Sequence, residues 1–371
     1  MTPASDAGMA RERVQRLLAL SRRVAGPAAP GRAELCRRLC ATSGLSQAGV
    51  EWALEHCLEL EPGEAELGAL LASVPRAATA HVILPAQVFV AAHRALALGL
   101  ACAPRVCVRA SRRDPVFLEA LAAEAQGLFE PVARLTVQPG DHVWAYGADV
   151  TLAALRSELP GGAILHAHGD GFGVAIVDLV ALAGVPGALG TAASALGRDT
   201  LAFDQRGCLS PRLVLALGSR ELSLEFAQAL CDALAKVARS VPRGRLTPEE
   251  LADETWYRQC IGGFGAVLDT AAGTVSCFSS ELGTSEGDAL PLELLVPPAG
   301  RHLLVVPVAQ LEPALLGLAP LVTSAGCSHA ELERSVQRCL PRARVCALGR
   351  MQIPLLDSPV DRRPDPAGER L

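Results

Sequence analysis

The stretch HVILPAQVFVAAHRALALGLACAPRVCVRAS, residues 81–111, decides the fold. It opens on a short apolar run that stops at Pro85. Phe89 to Leu100 is then apolar for long enough to be a helix. RVCVRAS alternates Val106 and Val108 against polar neighbours, the period of a strand. Strand, helix, strand in this order is the unit from which parallel sheets are wound.

Moving outward, the same rhythm continues. Asp114 and Pro115 read as N-cap and first residue of a helix to Gln126. ARLTVQ (133–138) and DHVWAYG (141–147) read as strands, and Asp149 as the cap of the helix TLAALRSEL (151–159). AILHAHGDGFGVAIVDL (163–179) reads as a strand, a glycine-rich turn and a second strand. Upstream, residues 1–75 are helical, with Val14, Leu17, Leu18 and Val50, Leu54, Leu58 at helical spacing. Downstream, a helix is expected over Arg212–Leu217 and another over Leu222–Val237. A hairpin-like stretch (265–280), a buried strand (301–308), a helix at His329–Cys339 and a strand (344–349) follow. The tail SPVDRRPDPAGERL (358–371) has the composition of a disordered segment.

The expected class is therefore α/β, with two Rossmann-like doubly wound domains behind an N-terminal helical segment. The expected boundaries are 1–75 helical segment, 76–200 cofactor-binding domain, 201–345 catalytic domain and 346–371 C-terminal strand and tail. A length of 371 residues suits two or three domains.

Composition excludes several function classes. Net charge is −5 and aromatics are 4%, so both a basic nucleic-acid footprint and stacking platforms are missing. The longest apolar candidate, Leu179–Leu189, is broken by Gly184, Pro186 and Gly187, so no membrane span is expected. The start of the sequence is polar, without an export signal, which implies a reducing, cytoplasmic setting. The 12 cysteines form no CxxC pair and no zinc-ligand cluster, so no metal is expected. Most read as small core residues.

One cysteine stands apart. In Phe203-Asp204-Gln205-Arg206-Gly207-Cys208-Leu209-Ser210-Pro211-Arg212, a glycine precedes Cys208, and Ser-Pro after it reads as a helix start. A helix N-terminus favours thiolate and offers N–H groups to an oxyanion. A structural cysteine is the competing reading.

FDQRGCLSPR resembles the nucleophile segment of the LuxC-type fatty acyl-CoA reductases, a branch of the aldehyde dehydrogenase superfamily. Residues 81–115, VWAYGADVTLAAL, HAHGDGFGVAIV and RVCALGRMQIPLLDSP resemble further segments of that family, in the same order. The likeness runs from about residue 80 to 357. It implies a cytoplasmic NADPH-dependent reduction (NADH also open) of an acyl-CoA or acyl-carrier thioester to an aldehyde, through an acyl group on Cys208. A homo-oligomer is expected. Gln87 stands where relatives carry an Asn oxyanion donor, and Phe89 where they carry a Pro. Arg109 and Ser111 take the place of a Lys-Pro-Ser triplet that contacts the adenosine ribose, with Arg112 or Arg113 able to reach a 2′-phosphate. Gly147, ahead of a helix, and Gly169, in the Gly169-x-Gly171-x-Gly173 run, are candidate cofactor contacts. As a dinucleotide signal that run is weak. His168 falls near the Glu base of oxidising relatives and is a candidate proton donor. Gly349-Arg350-Met351-Gln352 matches a C-terminal signature of unassigned role, and the His-Asp-Gly that follows it in relatives is replaced by Val360-Asp361-Arg362. These departures leave two other readings open: a non-catalytic subunit, and a Cys208 acyltransferase that transfers no hydride.

Overall fold

The computed structural model describes residues 3–270, 273–279, 296–356 and 368–371. Four helices come first: α1 (Pro3–Ala25), α2 (Arg32–Ser43), α3 (Gln47–His56) and α4 (Glu64–Ser73). Then follow β1 (Thr79–Ile83), α5 (Ala91–Cys102), β2 (Arg105–Arg109), α6 (Val116–Glu124), β3 (Glu130–Pro131), β4 (His142–Tyr146), α7 (Asp149–Glu158) and β5 (Ile164–His168). The next are β6 (Phe172–Asp178), α8 (Leu179–Ala183), α9 (Ala188–Leu201), β7 (Pro211–Leu217), α10 (Arg220–Ser240), α11 (Pro248–Ile261), β8 (Gly265–Thr270) and β9 (Gly273–Phe278). The last are β10 (His302–Val308), α12 (Leu311–Leu318), β11 (Val322–Cys327), α13 (Ala330–Cys339), β12 (Arg344–Ala347) and β13 (Glu369–Arg370). The expected α/β class with two parallel-rich sheets is what forms.

The chain divides into two compact units. One runs to Asp170 and takes back the described residues after Gln352; the other is Gly171–Gln352. The change of unit thus falls between Asp170 and Gly171, and residues 171–200 belong to the second unit.

The first unit holds the sheet β13-β5-β4-β1-β2-β3, parallel except for β13. Strand order reverses at β1: β2 and β3 extend one side, β4 and β5 the other. Helix α5 is mostly apolar and is buried from Ala92 to Cys102. Its two polar residues are provided for: His93 bonds Ser21 Oγ (2.9 Å) and the Glu59 carbonyl (2.7 Å), and Arg94 donates to the carbonyls of Leu355 and Leu356 (both 3.0 Å). Two local expectations change. Asp114 does not cap α6; its carboxylate accepts from Thr42 Oγ1 at 3.2 Å. Residues 133–138 form no strand, and only Glu130–Pro131 extends the sheet, at an edge where proline is tolerated.

The second unit holds β12-β11-β6-β7-β10-β9-β8, parallel except for the β8–β9 hairpin. Apolar clusters cover both faces, so β7 and β10 carry near-continuous apolar sequence. This corrects the helix expected over Arg212–Leu217. That segment is β7, with Pro211 at its first position, paired to β6 and β10. An apolar run this short carries no reliable period, and burial between two strands decides it.

The strands expected on either side of the glycine-rich turn form, β5 in the first sheet and β6 in the second. The tail is disordered neither wholly nor at its end. Glu369 and Arg370 pair with β5, and Arg156 holds Glu369 by two nitrogens (2.6 and 3.1 Å). The Val360-Asp361-Arg362 replacement and the rest of the tail to residue 367 lie outside the described residues.

Candidate active site

Gln87, Arg109, Ser111, Arg112, Gly147, His168 and Gly169 all belong to the first unit, and Cys208 to the second. The seven fall at one edge of the first sheet. Ile83 pairs with both Arg109 and Ala145, and Tyr146 pairs with His168, so β1, β2, β4 and β5 end level with one another. This is the carboxyl edge, and the order reversal at β1 makes it the place where open α/β sheets hold ligands.

Gln87 lies in the loop after β1, exposed, with φ of 76°. It does not cap α5, whose N-cap is Val90. A left-handed φ is uncommon for glutamine and far commoner for asparagine. Phe89 is a core residue packed on Phe117, ring centroids 6.1 Å apart. Arg109 is half-buried at the end of β2, and its carbonyl takes the Leu84 N–H at 3.0 Å. Ser111 Oγ accepts the Arg113 N–H at 3.3 Å. Arg112 and Arg113 are exposed. Gly147 donates its N–H to the His168 carbonyl (3.1 Å). A Cβ added there would meet nothing closer than Thr151 at 4.0 Å. His168 is buried, its ring stacked on Tyr146 at 4.3 Å. Asp149 and Asp170 exchange backbone N–H to carboxylate bonds at 3.0 and 3.1 Å, which ties the loop after β5 to the start of α7.

Gly171 and Gly173 answer to packing. A Cβ on Gly171 would lie 2.3 Å from Thr323 Cγ2; on Gly173 it would lie 2.6 Å from the Leu209 oxygen and 2.7 Å from Met351 Cε.

Cys208 sits half-buried in a turn between α9 and β7, at the amino edge of the second sheet. The strand β7, not a helix, follows it, so no helix N-terminus after Cys208 favours its thiolate. The turn is built otherwise. Phe203, Asp204 and Gln205 have φ of 52°, 50° and 63°. Three L-residues in the left-handed region cost roughly 3 kcal/mol or more. Ser210 then closes the turn on the Gly207 carbonyl at 3.0 Å. Thr323 Oγ1 donates to the Cys208 carbonyl, and Ser324 Oγ to that of Leu209 at 2.9 Å.

Burial raises the thiols of Cys36, Cys40, Cys107, Cys231 and Cys327, and pushes Cys277 and Cys346 up to about 11 and Cys102 to about 12. Those are packing residues.

Sequence reasoning missed the surroundings of Cys208, and the C-terminal signature now has a physical role. Asp199, on α9, accepts the N–H groups of Gly349 (2.6 Å) and Met351 (3.0 Å). Burial pushes its carboxyl up to about 7, against those two N–H donors. Met351 fills the space left open by Gly173 and Gly326. Gln352 Nε2 donates to Ser210 Oγ at 3.3 Å. The signature is a strap over the segment that carries Cys208.

The fold is that of the aldehyde dehydrogenases. The chain is similar to an oxidoreductase from Marinobacter aquaeolei (TM-score 0.68, 11% identity, 98% of this chain and 82% of that one). It is similar to aldehyde dehydrogenase 21 from Physcomitrella patens, in complex with the reaction product succinate (0.67, 12%, 98% and 82%). It is also similar to an NAD-dependent aldehyde dehydrogenase from Sinorhizobium meliloti (0.63, 16%, 97% and 78%). No curated protein matches it in sequence. The family model for acyl-CoA reductase (LuxC) matches residues 126–353, more than half of the sequence, and the chain belongs to that family. It is an oxidoreductase of aldehyde-related chemistry. The match takes in Gly147, His168, Gly169, Cys208 and the strap; Gln87, Arg109, Ser111 and Arg112 precede it.

Proposed function

We propose that this chain reduces an acyl-CoA or acyl-carrier thioester to an aldehyde with NADPH, through an acyl group carried on Cys208. The observation that carries the reading is a half-buried cysteine on a rigidly bonded turn, inside the segment that matches the acyl-CoA reductase family.

The carboxyl edge of the first sheet suits a dinucleotide. Open space at Gly147 lets a ligand approach the backbone. Arg109 and Ser111 are available to the ribose, and Arg112 to a 2′-phosphate. When bound, the nicotinamide supplies the hydride that converts the acyl group to the aldehyde level. Cys208 Sγ attacks the thioester carbonyl, the carrier thiolate leaves, and the later collapse of a thiohemiacetal returns the Cys208 thiolate. This splits one difficult displacement into two steps. By the family likeness Gln87 takes the place of the relatives' oxyanion donor, and its side-chain amide has the N–H that role needs. His168 enters as proton donor; its stack on Tyr146 supports a packing role instead, and His168→Phe separates the two.

The test supplies acyl-CoA and NADPH, follows cofactor absorbance and maps acylation by peptide mass spectrometry. Cofactor consumption with an acyl group on Cys208 is expected. No consumption at any chain length, with no acyl label, refutes the reading. A subunit without turnover is the alternative favoured by Gln87 and its exposed left-handed loop. Acyl transfer without cofactor consumption would identify the transferase reading.

A further inference from the structure

The turn before Cys208 is more strongly held than a connection needs. Phe203, Asp204 and Gln205 are buried as well as left-handed, and none is glycine. Such a conformation persists only where the surroundings over-determine it. Here they do. Asp204 Oδ1 accepts from Arg301 Nε at 2.8 Å and forms an ion pair with Arg301 Nη2, also at 2.8 Å. Asp204 Oδ2 accepts the Gly244 N–H at 2.9 Å, and the Asp204 carbonyl accepts that of Gly300, also at 2.9 Å. Arg301 is itself buried and donates to the Val241 carbonyl at 2.8 Å. Gln205 Nε2 donates to the carbonyls of Pro211 and His302, both at 2.8 Å, and its Oε1 accepts the His302 N–H at 2.6 Å. Arg206 adds a two-nitrogen pair with Glu250 (2.6 and 3.0 Å).

A loop with a glycine or two would join α9 to β7 without strain. What this arrangement adds is direction. Residues 203–205 are fixed to β10, to β7 and to the segment 241–244, so the chain enters Gly207-Cys208 along one path.

We propose that Asp204, Arg301 and Gln205 are positioning residues that fix where Cys208 Sγ points. The proposal rests on the reading of Cys208 as nucleophile and deepens it. None of the three touches the acyl group; they act through the backbone of 206–208. If the ion pair is removed, the turn relaxes toward negative φ and Cys208 swings from its attack line. Binding of the acyl chain is unaffected, so kcat falls while KM holds.

The experiment uses the full chain with Arg301→Leu, Arg301→Lys and the neutral pair Asp204→Asn/Arg301→Gln, at a temperature where circular dichroism shows each folded. Two quantities are read: kcat and KM with acyl-CoA, and the rate of Cys208 alkylation by iodoacetamide as a function of pH. Arg301→Leu is expected to lower kcat about 100-fold with KM nearly unchanged, and to shift the alkylation profile. Arg301→Lys keeps the charge and is expected to recover part of both. The neutral pair is expected to recover melting temperature without kcat. Wild-type kcat and alkylation in folded Arg301→Leu overturns the proposal. So does a neutral pair that recovers stability and rate together. If Arg301→Leu does not fold, the other two variants decide. If the wild type forms no acyl-Cys208 at all, it is the nucleophile reading that has failed. The alkylation profile then still tests positioning: unchanged across folded variants it refutes the proposal, and changed it supports it.

Discussion

The two units arrange their candidate site residues by different means. In the first, β1, β2, β4 and β5 end level; Arg109 and His168 close β2 and β5, and short loops beyond the strands carry Gln87, Ser111 and Gly147. The sheet itself does the gathering. In the second, Cys208 lies at the amino edge, where sheet geometry gathers nothing, and it is held by a left-handed turn, a buried ion pair and a strap from residues 349–352. A site at carboxyl ends follows from topology, whereas a site at amino ends has to be built residue by residue. Substitutions in the first unit should therefore act one contact at a time, and those around Cys208 should act together.

The largest effect expected is at Cys208 itself. Cys208→Ala should lower kcat by roughly 10⁴-fold or more, while NADPH affinity by calorimetry stays at the wild-type level. A matching loss of affinity would break the division of labour between the units.

Asp199 gives the next effect, and its sign is unusual for a carboxylate. Its folded value of about 7 stands above its ordinary 3.8. Between those values the folded chain keeps a proton that the unfolded chain releases. Its contribution is therefore greatest below about pH 4 and is lost as pH rises to about 7, by an amount on the order of 4 kcal/mol. The buried imidazoles act oppositely. Burial lowers His93 to about 4 and His302 to about 3, so both oppose folding as pH falls below the ordinary 6.5. The difference in urea midpoint between wild type and Asp199→Asn isolates the carboxyl and should widen from pH 5 to about pH 7 in favour of the variant.

The glycines sharpen the comparison further. Gly173→Ala should cost about 1–3 kcal/mol in urea unfolding, because its Cβ meets backbone and Met351. Gly147→Ala should leave stability alone and weaken NADPH binding. Arg109→Ala should weaken that binding about tenfold, the worth of one charged hydrogen bond. Gln87→Asn should give the smallest change, a gain of about 0.5 kcal/mol in stability from a residue at ease in the left-handed region. A rise in kcat should accompany it if the amide is an oxyanion donor.

Much of the first unit was legible. His81–Pro85 is a short apolar run ended by proline, Arg105–Ser111 alternates openly, and α5 is long and apolar. The Cys208 segment was legible by family likeness but not by physics. Ser210-Pro211 looks like a helix start, and only burial between β6 and β10 makes Pro211 the start of a strand. The left-handed turn gives no local signal, since Phe, Asp and Gln are not turn-forming glycines. What holds it is Arg301 and His302, nearly a hundred positions away. The crowding of Gly171 and Gly173 gives no local signal either, since the atoms near them come from residues 321–323, the 209–210 turn and Met351.

The pairing of β13 with β5 also bears on how the chain assembles. Arg370 lies beside Ile164, with the whole second unit between them in sequence. During synthesis, residues 171–352 are complete before the first unit receives its edge strand. That long-range closure is the slowest kind of contact to form. In pulse-labelled refolding, the amides of β5 should gain protection last.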